Sequence, residues 1–310
     1  MAGGRIDTHQ HIVPTAYAEW LIAKGMAAGG MPIPKWSPEQ ALEIMADNGV
    51  DAAILSISTP GVHLGDDAEA RSKARDVNEY AADVVRRYPD RFGFYASLVL
   101  PDIDGSLAEA AYAFDVLKAD GIVLHCAVNN IYLGDPVWNP LMEELNRRKA
   151  VIFVHPSELS GPPAKGIPPF SADFLLDTTR AAINMAKAGL LERFPGLKII
   201  LSHGGGFVPY AAERIARICS PNNDDYSAGV ERLQRFYFDT ALASSRFSLP
   251  SLLAFANPTH ITFGTDWPYA TRDRAAHFTR LFTEYPLDDT QRRAIDRSNA
   301  ERLFPRFAKS

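Results

Sequence analysis

Eight short apolar runs, rich in β-branched or aromatic residues, constrain this chain more than any other feature. They occupy residues 5–12, 52–58, 92–98, 121–127, 151–156, 198–204, 236–241 and 261–267. Stretches such as Val151-Ile-Phe-Val and Ile199-Ile-Leu leave no polar face. That pattern predicts strands buried on both sides, and hence parallel pairing. Between the runs lie segments with helical spacing, at 37–49, 68–88, 106–118, 140–149, 174–194, 208–218, 249–256, 272–284 and 289–304. The first opens at Ser37-Pro-Glu-Gln, a capping serine followed by a proline, and stops at Gly49. An α/β chain with eightfold strand–helix alternation is expected to form a (β/α)8 TIM barrel. An open doubly wound sheet would show a Gly-rich phosphate turn after its first strand. Here that strand ends in His9-Gln-His11 instead.

The 310 residues exceed the roughly 250 of a typical barrel. The excess is expected as loop insertions after strand one (14–36) and strand five (157–171), where barrel enzymes build their active-site loops. The polar stretch 222–229 reads as a further loop. No linker divides the chain, so residues 1–310 read as one barrel domain.

Composition excludes several classes. With 46% hydrophobic and 22% charged residues, the chain can bury a large core and is not disordered or fibrous. The net charge of −5 and the lack of a dense Lys/Arg run argue against nucleic acid or a membrane surface as partner. No apolar run approaches the roughly 18 residues of a membrane span, and the N-terminus lacks the apolar stretch of a signal peptide. Cys126 and Cys219 form no metal or redox spacing and suit a reducing compartment. A cytoplasmic location is therefore expected.

Polar residues at the C-terminal ends of barrel strands face the active-site mouth. Strand one ends in His9 and His11, which are two apart and so share one side. Strand five ends in His155, strand six in His203, and strand eight in Asp266. Taken singly, each could be a hydrogen-bonded core histidine or a helix cap. Unrelated core residues, however, have no reason to collect at one end of four strands. Histidines with a carboxylate suit Zn²⁺, Mn²⁺ or Fe²⁺ and can leave a position open for substrate. His63 and His277 read as surface residues, and His260 precedes strand eight at the wrong end. His125, near the end of strand four, has no evident partner.

These residues resemble the amidohydrolase superfamily. His9-Gln-His11, His155-Pro, His203-Gly-Gly-Gly and Thr265-Asp266-Trp-Pro look like its signatures for strands one, five, six and eight. The chain is more narrowly similar to the branch containing aminocarboxymuconate semialdehyde, γ-resorcylate and 6-methylsalicylate decarboxylases. That similarity lies in Tyr132-Leu-Gly-Asp-Pro, in Leu191-Glu-Arg-Phe-Pro, in the run from His203 through Phe-Val-Pro-Tyr to Arg214, and in Asn299-Ala-Glu-Arg-Leu-Phe304. The resemblance implies that His9, His11, His155 and Asp266 ligate one divalent metal, Zn²⁺ first and Mn²⁺ second, with His203 beside it. Relatives with two metals carry a lysine at the end of strand four. This chain has none there, which implies a mononuclear site. Arg214 stands where the branch has an arginine on the substrate carboxylate, supplied in some members by the neighbouring subunit. A homodimer or higher homo-oligomer is therefore expected. No arginine lies between Arg5 and Arg71, which favours a monocarboxylate over a dicarboxylate.

The expected activity is metal-dependent, non-oxidative decarboxylation of a small hydroxylated aromatic (salicylate-like) acid. Asp266 or a water would deliver the proton, and His203 would act as base or hold that water. Trp36, Phe170, Phe174, Trp267 and Tyr269 are candidates to pack on the ring. The alternative is a mononuclear metal-dependent hydrolase or hydratase acting on a lactone or an unsaturated acid.

Overall fold

The apolar runs pair side by side in the order of the chain. In this computed structural model, which describes residues 4–308, the barrel strands are β1 (Arg5–His11), β2 (Val50–Ser56), β3 (Phe92–Ser97) and β4 (Gly121–His125). They continue as β5 (Val151–His155), β6 (Lys198–Leu201), β7 (Tyr237–Asp239) and β8 (Ile261–Thr262). Every neighbouring pair is parallel. The register sets His11 beside Ser56 and His125 beside His155. Asp7 bridges Phe263 in parallel, and the Thr8 N–H donates to the Phe263 carbonyl at 2.9 Å, so the first strand meets the eighth. The architecture is a (β/α)8 barrel.

Alternation along each strand divides the core into two layers. Ile6, Ala52, Ile54, Tyr95, Val123, Val151, Phe153 and Ile200 fill the interior, and the C-terminal residues Leu303, Phe304 and Phe307 pack beneath them. Their neighbours Leu55, Phe94, Leu124, Ile152, Val154 and Leu201 face outward, onto helices. Phe153 supports the site from below: its ring stacks on Tyr95 at 5.2 Å and meets the edge of His9 at 4.7 Å.

Several local expectations change. Residues 14–36 hold a helix, Thr15–Ala23, and an Ala28–Met31 bridge. The stretch 222–229 runs into the helix Tyr226–Gln234, capped by Asp225. The helix expected at 174–194 begins earlier, as Pro169–Lys187, and breaks at Gly189 before Leu190–Arg193. The last helix is interrupted by a π turn at Ala294–Ser298. Strands six and eight are shorter than their apolar runs because the chain leaves the ladder to form the site. No helix among the described residues is long and apolar enough to cross a membrane.

Candidate metal centre

Parallel closure brings the C-terminal ends of the strands to one rim. There His9, His11, His155 and Asp266, all buried, each offer a ligand atom, and these atoms lie within 4.8 Å of one another. The second nitrogen of each imidazole determines what the first can do. His9 Nδ1 donates to Asp239 Oδ2 at 2.7 Å, His11 Nδ1 to the Ser56 carbonyl at 3.2 Å, and His155 Nδ1 to the Pro156 carbonyl at 2.8 Å. Each Nε2 therefore turns a lone pair toward the centre. His9 Nε2 and His11 Nε2 stand 3.1 Å apart, and Asp266 Oδ1 lies 3.2 and 3.0 Å from them. His155 Nε2 is buried with no hydrogen-bond partner. Three lone pairs and a carboxylate oxygen facing one another repel unless a positive charge sits among them. This donor set fits one divalent metal ion.

The electrostatics agree. Burial disfavours a charged His9, yet Asp239 and Asp266 outweigh it and push its pKa up to about 10, so the two carboxylates draw a positive charge, a proton or a metal ion, to this point of the cluster. Burial, reinforced by the neighbouring histidines, holds His155 well below the ordinary histidine value, so it stays neutral and able to ligate. Burial alone would raise Asp266, but the imidazoles of His11, His203 and His9 keep it well below the usual carboxylate range.

His203 sits in a short turn after β6, with its Nε2 3.5 Å from Asp266 Oδ2 and its Nδ1 buried and unpartnered. His203 and Asp266 have φ of 54° and 63°, a left-handed backbone that non-glycine residues adopt at a cost of about 1–3 kcal/mol. Both turns are held in place. Asp239 Oδ1 accepts the His203 N–H at 2.9 Å, and the Asp266 N–H donates to the His9 carbonyl at 2.8 Å. Asp7 accepts from the His9 and Thr265 N–H groups and from the Thr265 hydroxyl, tying β1 to the β8 tail. Burial raises its pKa to about 6 against those bonds.

A cavity of about 160 Å³ opens over the cluster, with His155, His203 and Asp266 on its wall. Phe170, Phe174 and Tyr269 line it, as do Ser58, Thr59 and Arg274. The hydroxyl of Tyr269 is buried and unpartnered. Glu158 fastens the loops around the mouth: it accepts the Gly29 N–H at 2.5 Å and the Thr59 hydroxyl at 2.7 Å. Three residues named from the sequence lie elsewhere. Trp36 packs on Tyr80 in the outer layer, with ring centroids 6.2 Å apart. The turn at Asp266 sends Trp267 into the same outer core. Arg214 is exposed on the helix Val208–Cys219, which turns Ala216 and Cys219 inward instead. The sequence reading passed over Asp239 and Arg274. Asp239 carried the same signal as the clustered residues, a polar side chain at the end of a strand. Arg274 lies only eight residues beyond Asp266, but nothing in the sequence showed which way it faces.

Comparison with known proteins agrees with this geometry. The chain matches the amidohydrolase family over residues 6–306. It is 36% identical to 6-methylsalicylic acid decarboxylase of Penicillium expansum over 313 residues, covering 98% of this chain and 97% of that protein. It is likewise 36% identical to a decarboxylase of Aspergillus niger over 326 residues, covering 98% and 88%. A crystal structure of an amidohydrolase superposes with a TM-score of 0.91 at 32% identity, covering 97% of this chain and 99% of that one. With a family match that runs from β1 into the C-terminal residues that plug the barrel from below, and histidine and aspartate donors gathered at the strand ends, this chain belongs to the amidohydrolase family.

Proposed function

We propose that the protein is a non-oxidative decarboxylase of a small hydroxylated aromatic acid, with residues 1–310 working as one domain. The observation that carries this reading is the convergence of three imidazole nitrogens and Asp266 at one end of an aromatic-walled cavity. At about 160 Å³, that cavity is close to the roughly 150 Å³ that admits a benzene ring. Relatives of matching length and 36% identity are decarboxylases, one of them of 6-methylsalicylic acid.

In this reading His9, His11, His155 and Asp266 hold one divalent metal, Zn²⁺ in preference to Mn²⁺. When bound, it supplies a Lewis acid for the phenol and carboxylate oxygens of the substrate. Phe170 and Phe174 flank the ring and exclude water. Tyr269 directs its free hydroxyl at a ring substituent. A proton adds to the ring carbon that bears the carboxylate. The C–CO₂ bond then breaks, its electron pair returns to the ring, and the carboxylate leaves as CO₂. Asp266 Oδ2, beside His203 Nε2, is the position from which a proton can be passed, and His203 is the residue that recharges it.

Arg214 faces away from its own cavity, so its contact with substrate requires a second copy. Phe207, Tyr210 and Phe247 are exposed along a groove that reaches His203, and Tyr210 lies one helical turn from Arg214. This is the face we assign to a homodimer. Both cysteines are buried and free, which supports a cytoplasmic setting.

The test is to incubate metal-loaded protein with 6-methylsalicylate in deuterated water. Release of CO₂ together with a deuterium at the former carboxylate position is expected, and both should vanish with the metal in His155→Ala. Conversion of simple lactones without CO₂ from any aromatic acid would replace this reading with the hydrolase.

A further inference from the structure

Among the described residues lining the cavity, Arg274 is the one permanent cation. It stands in the first turn of the helix Arg272–Glu284. A helix start already carries partial positive charge from its unpaired N–H groups, so a cation there is unfavourable unless an anion faces it. Other arginines of the fold have such anions: Arg75 pairs with Glu109, Arg148 with Asp115 and Glu144, and Arg306 with Asp120. Arg274 has no hydrogen bond or ion pair to any described residue. Its guanidinium lies over the Phe170 ring instead, 5.4 Å from the centroid. Phe170 belongs to the helix that follows the strand-five loop, so this stack spans the mouth between the fifth and eighth strand ends. Such a cation–π contact positions the guanidinium without using its N–H groups.

We infer that Arg274 is the anion-binding residue this chain supplies to its own cavity, and that it takes the carboxylate of an aromatic monocarboxylic acid. The inference rests on the decarboxylase reading and deepens it, naming the residue that selects an acid over a neutral phenol. The substrate's charge disappears when CO₂ forms. Arg274 therefore grips the reactant more tightly than the products, and the neutral phenol and CO₂ leave without breaking an ion pair. The carboxylate keeps its charge while the ring carbon is protonated, so Arg274 holds the substrate and that transition state about equally, and such uniform binding lowers KM without raising kcat.

The experiment compares full-length, metal-loaded wild type with Arg274→Gln and Arg274→Lys. It follows turnover of 6-methylsalicylate, and it measures by calorimetry the binding of two ligands that are not turned over: benzoate, and 3-methylphenol, the expected product. In Arg274→Gln, KM and the benzoate Kd should rise by about 10- to 100-fold, the loss of a charged hydrogen-bonded contact. In the same variant kcat should change by less than about threefold, 3-methylphenol affinity should stay within about twofold, and metal content should be unchanged. Arg274→Lys should recover part of the benzoate affinity. Unchanged benzoate affinity in Arg274→Gln, or equal losses for benzoate and 3-methylphenol, would overturn the assignment. A wild type that releases no CO₂ but loses benzoate on Arg274→Gln would refute the decarboxylase reading while leaving the anion site standing.

Discussion

At the scale of single residues, the cluster depends on groups buried behind it, off the cavity wall. Asp239 accepts hydrogen bonds from His9 Nδ1–H and from the backbone N–H of His203, so one carboxylate aims an imidazole of the cluster and pins the turn beside it. Asp239→Asn removes that charge and should weaken metal affinity by about 10- to 100-fold, read by titration against a competing chelator. An unchanged affinity would show that packing alone orients His9. His125 has a different role. Its Nε2 is buried and unpartnered, and burial takes its pKa down to about 4 from an ordinary 6.5. Unfolded chains bind this proton near pH 6.5, whereas the folded protein resists it until about pH 4. The folded state holds fewer protons in that window, so its stability is complete above pH 6.5. It falls as the pH drops through 4, by up to about 3 kcal/mol. The stability gap between wild type and His125→Gln, measured by denaturant titration, should narrow between pH 7 and pH 4. Parallel losses in the two proteins would contradict it.

At the scale of elements, the strands are legible because a buried parallel strand must be apolar on both faces, and the runs around Phe94, Ile122 and Ile152 announce this directly. Their ends are less legible. Residues 261–267 read as one strand, yet only Ile261–Thr262 stay in the ladder. Beyond them, bonds to β1 rather than to β7 carry the chain to Asp266. The helix Tyr226–Gln234 escaped notice because its opening is polar and its stability comes from packing. Gly229 allows that packing. A Cβ there would collide with the Ala216 carbonyl of the neighbouring helix. Gly229→Ala should therefore destabilise the protein by about 1–3 kcal/mol even though alanine favours helices, and a thermal melt higher than wild type would refute the clash.

At the scale of the whole molecule, the two ends of the chain depend on one another. β1 supplies His9 and His11, the β8 tail supplies Asp266, and the C-terminal residues Leu303, Phe304 and Phe307 pack under the barrel interior. Phe304 is 2% exposed, and its ring meets Tyr95, 5.9 Å between centroids; Tyr95 in turn stacks on Phe153, beneath His9. Phe304→Ala should cost about 3–5 kcal/mol of stability, seen by denaturant unfolding. Because the plug supports the floor of the site, metal retention should decline with it. A variant that unfolds earlier but holds metal as tightly when folded would separate the plug from the centre.

The sequence by itself determined the barrel and the identity of the converging residues. Both follow from local rules: apolar runs of strand length, helical spacing between them, and polar residues where strands end. What it left open is direction. Trp36, Phe170 and Trp267 are all aromatic residues next to loops, yet only Phe170 lines the cavity. Arg214 and Arg274 are both arginines on helices that follow strands, yet only Arg274 meets it. Which way such side chains turn depends on the angle at which each helix leaves its strand and on turns such as the left-handed one at Asp266. Contacts between distant parts of the chain set those angles, and only the closed barrel brings those parts together.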